Sequence, residues 1–219
     1  MNNDARQAIL GSIRSHLAAS APFDRHTHTE PSAVAPGKSQ TQVPLIDLFT
    51  QNLEAINGRC IVANNDTDIA DVLTRIITDL KAQRLAISDH SEVKRWLYLT
   101  DLEIEELGIA PNASDIFHFD VGITSAQAAI AETGTLVLDS VHERHRLVSL
   151  VPPVHIAIVN ASAIFETLGE ALTSLRKQHE LSPAVTFITG PSRTADIELT
   201  LTVGVHGPQA LYVIINGST

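Results

Sequence analysis

The sequence predicts an α/β fold, a largely parallel sheet covered by helices on both faces. Short apolar runs of strand length alternate with segments whose apolar residues recur at helical spacing, the pattern of crossover-linked parallel strands. In the last third of the chain these runs break repeatedly into glycine-bearing turns. An apolar fraction of 44 % in 219 residues is ample for one buried core.

Residues 1–19 read as an amphipathic helix, with Ile9, Leu10, Ile13 and Leu17 on one stripe. Residues 20–42, rich in Pro, Ser, Thr, Ala and Gly, read as a flexible linker arm. The α/β domain then occupies residues 43–219. Leu45 to Ile56 suits a helix ending at Gly58, and Cys60–Ala63 a strand. Asp66 or Thr67 can cap the next helix, where Ile69, Val72, Leu73, Ile76, Ile77 and Leu80 fall on one face. A strand is expected at Arg84–Ser88 and helices at Ser91–Leu99 and Leu102–Leu107, the second closed by Gly108. Ile116–Val121 reads as a strand, alanine-rich Thr124–Ala131 as a short helix, and Thr135–Asp139 and Val154–Asn160 as strands. Pro152-Pro153 fixes where the last of these begins, because proline cannot donate to a ladder. Ser162 can cap a helix running through Leu168 and Leu175. Ala184–Thr189 is a strand, Thr194–Leu201 a short helix and Leu211–Ile215 the final strand.

Composition narrows the function classes. The formal charge of −10, with 4 % aromatics and no Lys/Arg cluster, lacks the basic face and stacking rings that nucleic-acid binding needs. No run approaches the roughly 18 apolar residues of a membrane span, and no secretory signal is visible. A cytoplasmic location is the expectation. The single cysteine, Cys60, can neither close an internal disulfide nor hold an iron–sulfur cluster, and it reads as a buried apolar thiol. No Walker loop, dinucleotide fingerprint, nucleophile elbow or H-E-x-x-H motif occurs. No cofactor or metal is expected. His142 and His145, in Val141–Arg146, have the spacing of one helical turn, but no helix is expected there; Arg144 and Arg146 read as a solvated or partner-facing edge, and His155 as a satisfied core histidine.

Three glycine turns carry polar groups that a core does not need. At Thr189–Asp196 a strand gives way to Gly190-Pro191, and a helix opening at Thr194 would offer unpaired N–H groups; with Ser192 and Arg193 these could hold a phosphate or carboxylate. Asp196 and Glu198 in that first turn would oppose an anion, and an ordinary capped turn is the alternative. In Ala131–Thr135, Glu132 lies where helix gives way to strand beside Thr133 and Gly134, and a desolvated carboxylate there could act as base or nucleophile. Its alternative is a solvated turn carboxylate. His206, between Gly204 and Gly207, is the best second titrating group. The candidate catalytic residues are thus Glu132 and His206, and the candidate anion ligands are Thr133, Gly134, Gly190, Ser192, Arg193 and Thr194.

The same motifs resemble those of the lactate-utilisation protein C family, whose domain is called the LUD domain. The matching residues are Gly122–Ala126 leading into Ala131–Thr135, then Arg146 and Ser149–Ile156, then Gly190–Glu198 and Gly204–Pro208. The resemblance implies a fold similar to CoA transferases and ribose-5-phosphate isomerase. It also implies an accessory role in oxidising L-lactate to pyruvate beside cysteine-rich iron–sulfur subunits that carry the redox chemistry. The alternative is a stand-alone enzyme or binding protein for a small carboxylate, phosphosugar or CoA ester.

Overall fold

The computed structural model describes residues 3–19, 43–143, 145–178, 184–194, 202–203 and 207–217. The chain divides into two compact units, residues 1–39 and 40–219. The first contains α1 (Asn3–Ala19), the helix its apolar period predicts. No helix among the described residues is long and apolar enough to cross a membrane.

The second unit runs in order through α2 (Leu45–Ala55), β1 (Arg59–Ala63), α3 (Asp66–Leu80), β2 (Arg84–Ile87), α4 (Ser91–Tyr98), β3 (Glu106–Ile109), β4 (Val121–Ala126), β5 (Ala128–Ile130), β6 (Thr135–Asp139), α5 (Leu147–Leu150), β7 (Val154–Asn160), β8 (Ile164–Phe165), α6 (Leu168–Gln178), β9 (Val185–Ile188), β10 (Arg193–Thr194), β11 (Thr202–Val203) and β12 (Ala210–Asn216). Six strands form one sheet in the order β1-β12-β7-β4-β2-β3, and every neighbouring pair is parallel. This is the expected α/β core.

Because strand side chains alternate between faces, each central strand feeds two cores. Ile156 and Ile158 of β7, with Tyr212 and Ile214 of β12, pack under α3 and α4 through Ile69, Leu73, Ile77, Val93 and Trp96. Ala157, Val159, Val213 and Ile215 point the other way, toward Phe49 and Leu53 of α2 and Leu136 and Leu138 of β6. The second face is thus shared between α2 and a further sheet, β8-β5-β6-β9, in which β6 is antiparallel to both β5 and β9. Ala128, Ile130 and Val137 on that sheet's outer side pack on Ala171 of α6.

Several elements differ from the sequence expectation. Thr124–Ala131 is not a helix but the end of β4 followed by β5. Alanine is a strong helix former, but tertiary context overrides propensity, and here small side chains let two sheets approach while ladder bonds satisfy the backbone. Leu102–Leu107 gives no helix. Glu106–Ile109 pairs with β2 at the sheet edge, and Gly108 lies against the Phe119 ring instead of capping a helix. Ile116–His118 is a single 3-10 turn, so the strand begins only at Val121. Helix α3 is capped by Asn65, whose side chain accepts from Asp68 N at 2.9 Å; Asp66 instead receives the Trp96 indole N–H at 2.7 Å. Ser162 lies in a 3-10 turn, and α6 starts later, where Thr167 Oγ1 accepts from Glu170 N. Arg193-Thr194 opens no helix but pairs antiparallel with Thr202-Val203. Ala195–Leu201 lies outside the described residues.

Candidate functional site

Each buried strand of the parallel sheet meets a short polar residue at its carboxyl end: Ser88 after β2, Ser125 in β4, Asn160 closing β7 and Asn216 closing β12. Ligands of open parallel sheets gather beyond this edge. A cavity of about 290 Å³ lies there, with His90, Trp96, Ser125, Gln127, His142 and Asn160 among the residues around it.

Beside it is a buried carboxyl group. Strand β6 ends at Asp139, whose Oδ1 accepts from Val141 N and His142 N, both at 2.9 Å, while its carbonyl accepts from Glu143 N at 2.8 Å. That turn carries Glu143 to the end of β4. Ser125 N (2.8 Å), Ser125 Oγ (2.7 Å) and Ser88 Oγ (3.1 Å) all donate to Glu143 Oε1. Oε2 is buried and has no hydrogen-bond partner among the described residues. Glu143 is 2 % exposed. Burial pushes its carboxyl up to about 7, the largest effect, against the three donors that favour the ion; the charge of Asp89 adds to the rise.

Neighbouring groups are tied to the same cluster. Gln127 Oε1 accepts from Asp139 N at 2.9 Å while its Nε2 donates to Ser125 Oγ at 3.0 Å. His142 Nδ1 lies 2.9 Å from Asp139 Oδ2, and an acceptor-only carboxylate puts the proton on that nitrogen. His90 caps α4 by accepting from Glu92 N at 3.4 Å. Burial lowers its pKa most; Glu92 opposes this and His142 adds to it. Asn216 Nδ2 donates to Asn160 Oδ1 at 2.9 Å. No lysine or arginine lines the cavity among the described residues. The site can therefore hydrogen-bond a small polar ligand and exchange one proton near neutrality, and its described residues present no fixed cation.

Most of the residues expected to form the site lie elsewhere. Glu132 is in the β5–β6 hairpin turn, exposed, and accepts from Leu168 N at the start of α6 at 3.2 Å. Thr133, Thr135 and Thr189 form a chain of hydroxyl contacts, each 2.8 Å, that joins two of the glycine turns. Gly134 (φ 62°) and Gly190 (φ 75°) both take the left-handed conformation and both approach the carboxyl end of α2. Arg193 Nη2 donates to Ile56 O at 3.0 Å, and Ser192 N donates to Pro208 O at 2.8 Å. Gly190, Ser192 and Arg193 border a second cavity of about 320 Å³ with Leu150, Pro208 and Leu211, near the amino ends of β7 and β12. Thr194 sits in β10, and His206 lies outside the described residues. The structure thus brings the Thr133–Gly134 and Gly190–Arg193 turns together, while the Glu132 carboxylate is engaged at α6.

The sequence reading missed Glu143. Val141–Arg146 looked like a solvated charged edge, yet Glu143 is among the most buried charged residues described. A signal was available: apolar strands ending in Ser, Ser, Asn and Asn mark a polar rim, and Asp139 directs the next turn into it. His155 is a core histidine as expected, but only half satisfied, because its Nδ1 is buried with no hydrogen-bond partner among the described residues. It is 0 % exposed, its Nε2 is 2.8 Å from Thr124 Oγ1, and burial lowers its pKa to about 3. Cys60 is half-buried, Thr50 Oγ1 donates to its sulfur, and burial, the main effect, pushes the thiol up.

Comparison with known proteins places this architecture. The LUD domain matches residues 46–215. A protein of Exiguobacterium sp. named lactate utilization protein C is 30 % identical over 221 residues, spanning 97 % of this chain and 95 % of its own. One from Anoxybacillus flavithermus with the same name is 27 % identical over 216 residues, spanning 95 % and 96 %. A DUF162 family protein from Deinococcus radiodurans, known from a crystal structure, shares the fold with a TM-score of 0.59 at 19 % identity, over 79 % of this chain and 96 % of its own. On this evidence of sequence and architecture, the chain belongs to the lactate utilization protein C family of LUD-domain proteins.

Proposed function

We propose that this chain is an accessory subunit of an L-lactate utilisation system, in which the pocket at the carboxyl edge of the sheet binds a small carboxylate. Cysteine-rich iron–sulfur subunits carry out the oxidation to pyruvate, and a cytoplasmic location goes with this reading. The lactate assignment draws support from relatives that bear that name and align nearly end to end. One observation carries the assignment of the ligand site: the buried Glu143 carboxyl, held by Ser125 and Ser88 beside a small polar cavity where parallel sheets receive ligands. One cysteine is too few for a cluster, which leaves electron transfer to partners.

A second reading, a stand-alone enzyme or anion-binding protein, is favoured by Arg193 beside the cavity near Gly190. Gene deletion separates the two. Under the first reading the deletion strain stops growing on L-lactate, the intact gene restores growth, and the tagged protein retrieves subunits with visible iron–sulfur absorbance. Normal growth of the deletion strain, with no cluster-bearing protein retrieved, overturns it.

A further inference from the structure

We propose that Ser125 and Glu143 form a ligand-binding dyad that admits a small monocarboxylate together with one proton. The inference rests on the pocket reading above and adds the ligand's charge class and the group that governs its entry.

Ser125 has a single hydroxyl hydrogen to give. While Glu143 is ionised, that hydrogen is committed to Oε1 at 2.7 Å, and Ser125 Oγ also accepts from Gln127 Nε2. The cavity then meets an acceptor backed by a buried negative charge, which repels a carboxylate. A proton taken from solvent has a place to go: Oε2, which has no partner among the described residues. Ser125 N and Ser88 Oγ still hold Oε1 in place after that, so the Ser125 hydroxyl is released to donate into the cavity. Asn160 stands beside it with Oδ1 already accepting from Asn216, which leaves its Nδ2 to donate. No covalent bond to the ligand forms, and the solvent proton neutralises Glu143.

The other charged groups around the cluster sharpen the selection. Asp89 and Glu92, at the start of α4, and Asp139, at the end of β6, are acids. His142 is bound to Asp139, and burial disfavours the charged form of His90. With no lysine or arginine at the cavity among the described residues, a doubly charged phosphate finds no counter-ion there, whereas a monocarboxylate that enters with one proton leaves the site's net charge unchanged.

Calorimetric titration of the full chain with L-lactate between pH 6 and 8.5, in two buffers of different ionisation enthalpy, tests this. The wild type should take up about one proton per lactate at pH 8, and its affinity should fall about tenfold per pH unit above neutrality, the linkage expected for one proton. Glu143→Gln should bind with pH-independent affinity and no proton uptake. Ser125→Ala should bind about 10- to 100-fold more weakly, the loss of a hydrogen bond to a charged group. Ser88→Ala removes a donor that favours ionised Glu143, so the pH above which affinity falls should move upward; an unmoved profile overturns the proposal, which keeps the test sound if Glu143→Gln does not fold. Unchanged proton uptake in Glu143→Gln, or tighter binding of inorganic phosphate than of L-lactate, overturns the proposal. Failure of the wild type to bind L-lactate or pyruvate at pH 6 overturns it too, and leaves the growth phenotype to decide the subunit reading on its own.

Discussion

Two buried side chains give this protein opposite dependences on pH. Glu143 holds its proton up to about pH 7 in the fold, against an ordinary value of 4.5. The folded chain therefore binds more protons than the unfolded chain between these values. The stability this contributes is fully present below 4.5 and is lost as pH rises through about 7, on the order of 3 kcal/mol in all. His155 runs the other way. Its pKa drops from 6.5 to about 3, so its contribution is present above 6.5 and is lost as pH falls toward 3. Between pH 4.5 and 6.5 the two slopes cancel. In Glu143→Gln only the histidine slope remains, so the variant should gain stability relative to the wild type as pH rises from 4.5 to 8. Urea unfolding of both proteins across that range measures the difference, and a pH-independent gap would show that Glu143 does not titrate as its burial dictates. Of the two residues, His155 was legible because Val154 before it and Ile156, Ala157, Ile158 and Val159 after it announce a buried strand. Glu143 was not, because its neighbours in sequence are charged and its burial comes from Ser88 and Ser125, 55 and 18 residues away.

At the scale of elements, long periodic helices and apolar strands were readable, and short elements were not. Helix α3 and strand β7 stand where their patterns put them. The second sheet escaped notice because β5 and β8 have only 3 and 2 residues, too few to display a period, and because alanine, a strong helix former, makes β5 read as helix. What fixes that sheet is the hairpin at Gly134. With φ at 62°, any other L-residue is strained there, and an added Cβ would lie 2.5 Å from Leu53 N and 2.7 Å from its Cα. Backbone in α2 cannot yield as a side-chain tip can. Gly134→Ala should therefore destabilise the fold by about 2 kcal/mol or more, combining left-handed strain with overpacking. A lower urea midpoint at unchanged slope is the expected result; an unchanged midpoint would mean that the hairpin does not seat against α2.

The whole molecule divides its polar groups between the two ends of the parallel sheet. At the amino end, backbone ties dominate: Gln209 N donates to Pro153 O, Ser192 N to Pro208 O, and Arg193 reaches Ile56 O. These bonds hold the glycine turns to one another and to α2, so donors that looked ready for an anion already have partners. At the carboxyl end, Glu143 Oε2 is buried with no partner among the described residues, and Ser125 borders the cavity. The fold class was legible because it depends on alternation along the chain. The division of labour was not, because it depends on which end of each strand a loop leaves from. The two ends make opposite predictions for Arg193→Ala. Loss of its exposed bond to Ile56 O should lower stability by about 1 kcal/mol and leave L-lactate affinity and proton uptake as in the wild type. Calorimetry on this variant beside Ser125→Ala decides between the ends. If Arg193→Ala weakens lactate binding while Ser125→Ala does not, the ligand sits against the glycine turns at the amino end of the sheet.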